Sequence, residues 1–101
     1  MKDHVRSDWA SAILVCAKCS KKLDGGFGED GRMPLAKMLC RALGGSKGRR
    51  AGLGVVEVKC LDVCPKRGVV VVDSARPGRW EIVAAGTSVT DVLARLGRAQ
   101  A

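Results

Sequence analysis

The chain has 101 residues, 18 of them Lys or Arg and 10 Asp or Glu, for a formal net charge of +8 and an isoelectric point near 9.7. That length suits a single domain over residues 1–101, and with 47% apolar residues, 3% aromatic residues and no Tyr its core must be aliphatic and thin. The longest uninterrupted apolar run, Ala12 to Ala17, has six residues, against the roughly 18 needed to cross a bilayer, which excludes a membrane-spanning helix.

The opening segment carries Asp3 and Asp8 and has no sustained apolar region ahead of a small-residue cleavage site. It does not read as a signal peptide, and the cytoplasm is the expected location. Ala12 to Val15 is a short, mostly branched apolar run that predicts a buried strand delivering Cys16 to its carboxyl end, with Cys19 in the loop that follows. Gly25, Gly26, Gly28 and Gly31 crowd the next stretch and predict a flexible loop. Leu35, Met38, Leu39, Ala42 and Leu43 recur at spacings of three and four, so a helix is expected with Pro34 in its first position and Gly44 at its stop. Cys40 falls inside that helix.

Gly44 to Gly52 combines glycines with Lys47, Arg49 and Arg50 and lacks apolar periodicity, as a solvated connection would. Val55, Val56 and Val58 predict a second strand running to Cys60. Val69 to Val72 predicts a third and Trp80 to Ala84 a fourth, paired antiparallel through a turn containing Pro77 and Gly78. Ser88 and Asp91 form a capping-box pattern ahead of Val89, Val92, Leu93 and Leu96, a helix face that Gly97 ends. The expected order is β-α-β-β-β-α. A strand, a helix and another strand make a right-handed parallel crossover, and the later strands add an antiparallel hairpin. This predicts a small α/β domain with a mixed sheet and thioredoxin-like architecture, both cysteine pairs lying on neighbouring loops at one end.

Five cysteines in a cytosolic chain of this size point to metal binding or redox chemistry, because a reducing compartment works against structural disulfides. Cys16 and Cys19 are separated by two residues, and Cys60 and Cys64 by three. Each gap lets one loop turn two sulfurs toward one metal ion. Four thiolates from two loops complete either a tetrahedral zinc site or a [2Fe-2S] cluster, in which each iron takes two cysteine sulfurs. Spacing does not choose between them. The bland reading is that the four are small buried hydrophobes; for Cys40, which belongs to the apolar pattern of a helix, core packing is the expected role.

The segment VEVKCLDVCPKRGVVVVD, with its strand, Cys-Leu-x-x-Cys, strand pattern, resembles the second cysteine motif of thioredoxin-like [2Fe-2S] ferredoxins and of the related ferredoxin-like subunit of respiratory complex I. WEIVAAGTSVTDVLARLG supplies the hairpin strand and terminal helix that follow the motif in those families, so the resemblance covers most of residues 12–97. It implies that Cys16 and Cys19 are the first ligand pair and Cys60 and Cys64 the second. It further implies a [2Fe-2S] cluster as cofactor and electron transfer, with no catalytic residues, as the function. The first pair is tighter here than in those families, and Asp62 or Val63 stands where a Gly is common. The tight first pair is also similar to that of predicted metal-binding proteins sharing the fold.

A reading of another class takes Cys16-Ala17-Lys18-Cys19 as a thiol-disulfide exchange motif, with Pro65 in the place of the cis-proline that thioredoxin-like enzymes set beside their dithiol. It leaves the second pair unexplained. Lys18, Lys21 and Lys22 surround the first pair and Lys59, Lys66 and Arg67 flank the second. Such charge favours thiolates, raises the potential of a bound cluster and steers an acidic redox protein, which is the expected partner. A solvated basic face would have the same composition.

Nucleic-acid binding is disfavoured, because the basic Ser46 to Arg50 run has no aromatic platform beside it. Homo-oligomers are left open. His4 has no partner pattern, Asp62 and Asp73 belong to no carboxylate pair or nucleophile arrangement, and GGSKGRRAG lacks the spacing of a phosphate loop.

Overall fold

In the computed structural model, which describes residues 3–45 and 48–97, the first apolar run forms strand β1 (Ser11–Cys16) and brings Cys16 to its carboxyl end. The chain turns at once into a six-residue helix, α1 (Ala17–Lys22), and then into a small antiparallel hairpin of β2 (Gly26–Phe27) and β3 (Met33–Pro34). Helix α2 (Leu35–Leu43), strands β4 (Leu53–Val58), β5 (Gly68–Asp73) and β6 (Glu81–Ala84), and helix α3 (Val89–Arg95) complete the fold. The main sheet runs β4-β1-β5-β6, with β1 and β4 parallel and the other two pairings antiparallel. The class is α/β, with a small mixed sheet and three helices.

The expected order omitted α1 and the β2–β3 hairpin. Helix α1 is too short to show an apolar period, and it places Cys19 in a helix where a loop was expected. The glycine-rich stretch is a tight hairpin, not a flexible loop. At Gly25, φ is +92° and a Cβ would strike the Arg32 carbonyl, so close backbone approach explains the glycine. Pro34 is extended at φ −61° and ψ 143° and closes the hairpin ahead of α2, one residue before its expected place inside the helix. Strand β4 stops at Val58, short of Cys60, and β6 starts at Glu81, leaving Trp80 in the connection from β5, where its indole N–H donates to the Pro77 carbonyl at 3.0 Å.

The strand registers set the two faces of the sheet. Ile13 lies beside Val55 on β4 and Asp73 on β5, Val15 beside Val71, and Val69 beside Val83. Side chains alternate along a strand, so these residues share one face. Leu35 and Leu39 of α2 and Val92 and Leu93 of α3 pack against that face in a single core, with Ile13, Val15, Leu35, Leu39, Val71 and Val83 all fully buried. Each large aliphatic side chain so buried contributes about 1.5–3 kcal/mol. Helix α2 ends on Gly44 in the left-handed conformation, and α3 begins with the Ser88 hydroxyl accepting the Asp91 N–H at 3.2 Å. The parallel β1–β4 pair, linked through α2, sets the carboxyl ends of both strands side by side, Cys16 opposite Val58.

Candidate metal centre

Both cysteine pairs lie beyond those carboxyl ends. The Lys18 N–H donates to the Lys59 carbonyl at 3.2 Å, and the Cys19 thiol donates to the Val63 carbonyl at 3.8 Å, so the Cys16–Cys19 segment is stitched to the loop carrying Cys60 and Cys64. The pairs lie at one end of the sheet, as expected, but not on two loops: Cys16 ends β1 and Cys19 is in α1, and only Cys60 and Cys64 are on a loop. Cys16 and Cys19 are buried, and Cys60 and Cys64 are exposed.

The four thiols have different surroundings. Burial pushes the Cys16 thiol up, but the backbone N–H groups of Cys19, Leu61 and Lys18, together with the Cys19 thiol, outweigh burial and hold it below the ordinary cysteine value. None of these closes a capping bond at the head of α1; they act as dipoles aimed at the sulfur from both segments. Cys19 is pushed up, first by burial and then by Cys16 and by the charge of Cys64, against the Val70 N–H. Cys60 accepts the Asp62 N–H at 3.3 Å, and its thiol faces the Asp62 carboxylate at 4.0 Å.

The donor set suits a thiolate-held group: two cysteines on each of two joined segments, with backbone N–H groups directed at sulfurs of both pairs. Among the described residues, no three His, Cys, Asp or Glu side chains are drawn together closely enough to enclose an ion. Cys19 is close enough to feel both Cys16 and Cys64, whereas Cys60 is turned to Asp62. Lys18, Lys21, Lys22, Lys59, Lys66 and Arg67 are all exposed around this end.

Other candidates fall elsewhere. Cys40 is half-buried against the core from α2, where burial raises its thiol. Pro65 is not a cis-proline, as the described residues contain no cis peptide bond. His4 is exposed and pairs with Asp3 at 2.8 Å, and buried Asp73 accepts the Ala75 N–H at 3.0 Å in the turn after β5. Lys47 and Ser46 lie outside the described residues. An open cavity of about 830 Å³ between the 28–30 loop, α2 and the start of α3 contains no cysteine. No helix among the described residues is long and apolar enough to cross a membrane.

The spacing of the cysteines revealed the pairs but not the part played by Leu61 and Asp62, which act through their backbone. Asp62 has φ +61°, a conformation that Asp tolerates better than most residues, and its position between the paired cysteines is the one signal available in sequence. No family model matches the chain, and no curated protein or solved structure matches it significantly.

Proposed function

We propose that the chain is an electron-transfer protein of the thioredoxin-like [2Fe-2S] ferredoxin kind, holding its cluster through Cys16, Cys19, Cys60 and Cys64 and exchanging single electrons with an acidic protein. The observation that carries this reading is the joining of the two cysteine segments by the Lys18–Lys59 and Cys19–Val63 hydrogen bonds. A parallel strand pair linked through α2, then an antiparallel pair and α3, supports the thioredoxin-like architecture.

A bound cluster would supply a one-electron couple. The chain's own part is to hold the sulfurs, to direct the N–H groups of Leu61 and Asp62 at Cys16 and Cys60, and to surround the site with cations. N–H groups and cations favour the more negative reduced form, and the lysines steer an acidic partner. The exposed lysines at this end suit a carrier that docks an acidic protein.

The test is iron, zinc and acid-labile sulfide content of protein purified without oxygen, for the native chain and for Cys60→Ser and Cys64→Ser. About two irons and two sulfides per chain, lost in both variants, is the expected result. About one zinc without sulfide would replace the cluster by a zinc module on the same fold. Iron and sulfide undiminished in both variants would overturn the ligand assignment. With neither metal present, thiol-disulfide exchange by Cys16 and Cys19 becomes the reading to pursue.

A further inference from the structure

The loop from Cys60 to Cys64 has a backbone course of its own. The Leu61 N–H is directed at Cys16, the next N–H, that of Asp62, at Cys60, and the Val63 carbonyl receives the Cys19 thiol. Three successive residues therefore address three different sulfurs. Asp62 makes this possible by its left-handed conformation at φ +61°. Glycine would satisfy that backbone requirement with less strain, yet here the position carries a charged side chain whose oxygen lies 4.0 Å from the Cys60 sulfur. The carboxylate is exposed and accepts from the free Cys60 thiol; a ligating Cys60 has no proton to donate, so in a loaded centre the carboxylate would act on it by charge alone, among the basic Lys59, Lys66 and Arg67 and the acidic Glu57.

We propose that Asp62 is a positioning residue with two separable effects: its backbone orients the loop and donates to Cys60, and its carboxylate lowers the reduction potential of the centre through Cys60. This rests on the cluster reading given above. Reduction adds one electron and so one negative charge to a cluster, and a fixed negative charge beside a ligand sulfur opposes that addition. Unit charges 4 Å apart in a water-like dielectric correspond to about a fivefold change in an equilibrium constant, which sets the ceiling here because the electron goes to iron, farther from the carboxylate than the sulfur. The carboxylate thus opposes the surrounding lysines and keeps the site from becoming too oxidising.

Two variants separate charge from shape. Asp62→Asn keeps a side chain that tolerates the left-handed conformation and removes the charge; Asp62→Gly keeps the backbone and removes the side chain. Iron and sulfide content is measured first, then the reduced-to-oxidised ratio of the cluster, by its visible and paramagnetic signals, against dyes at a fixed ambient potential. Both variants are expected to hold the native amount of iron and sulfide, with the ratio raised in the direction of reduction by about twofold to fivefold. Native content with an unchanged ratio in Asp62→Asn overturns the charge effect and leaves Asp62 a shape residue. Loss of iron in both variants, with the native protein loaded, likewise overturns the separation. A native protein that binds no iron overturns the cluster reading and this inference together, an outcome distinct from the other two.

Discussion

Glu81 is a carboxylate with 6% of its side chain exposed, clasped by Arg79 Nε at 2.7 Å and by Arg95 Nη2 at 2.9 Å. The Arg79 hydrogen bond, against the cost of burial and with help from Arg95, holds its carboxyl below the ordinary value for Glu. A depressed folded-state pKa means that the unfolded chain binds the proton first as acid is added. Glu81 therefore contributes stability that is fully present above about pH 4.3, the unfolded value, and is lost as pH falls through the lower folded value. Glu81→Gln is expected to be less stable at neutral pH by about 1–2 kcal/mol and to show a shallower loss of stability below about pH 4. Urea denaturation at pH 7 and at pH 3 reads both, and a mutant curve parallel to the native one across that range would show that the carboxylate's ionisation is not what stabilises it. At this scale, the cysteines were legible because their spacing is a property of the chain. Glu81 was not, because alternation alone cannot say which residue of Glu81-Ile82-Val83 faces the core. The register does: Glu81 lies beside Val71 under α3, while Ile82 is 47% exposed.

Among the elements, α2 was readable from its apolar spacing and its glycine stop, and the β5 run of four valines from composition alone. Of the elements missed in sequence, α1 is too short to show an apolar period and the β2–β3 hairpin rests on a close backbone approach at Gly25; the segment before β1 was equally illegible. Beside Gly54 of β4 lies the Trp9 ring, so close that a Cβ at Gly54 would overlap it, and the Trp9 indole N–H donates to the Gly48 carbonyl at 2.8 Å. The Asp8 and Ala10 N–H groups extend this attachment to the carbonyls of Arg49 and Gly52. The segment before β1 is thus fastened to the connection before β4 by hydrogen bonds from one backbone to the other, which no residue pattern announces. Gly54→Ala is expected to lift the Trp9 ring off β4 and to cost about 1–3 kcal/mol, as overpacking does. In a Trp80→Phe background, which leaves Trp9 as the sole fluorophore of its kind, the emission should move to the red. Emission and stability both unchanged would mean that the ring is not held against that glycine.

Across the whole molecule, 18 cationic side chains face 10 anionic ones, and six of the cations stand exposed around the cysteine end. The sequence placed them near the cysteines, and the parallel β1–β4 pairing gathers the two groups at one pole, a step that depends on strand order and not on any local pattern. A field of that sign matters beyond contact distance only while salt is low, since the screening length is about 30 Å at 0.01 M and about 8 Å at 0.15 M. If the proposed cluster sits among these lysines, its oxidation by small complexes must depend on their charge. The reduced protein is expected to be oxidised fastest by anionic ferricyanide at low salt, with a rate that falls as sodium chloride rises from 0.01 to 0.3 M. Oxidation by a cationic cobalt hexaammine complex should instead quicken over the same range, because salt relieves the repulsion. Stopped-flow traces with the two oxidants compare the fields without any partner protein. Opposite slopes place the electron's exit at the basic pole; equal slopes would mean that the lysines do not govern approach, and the expectation of an acidic partner would fall with them.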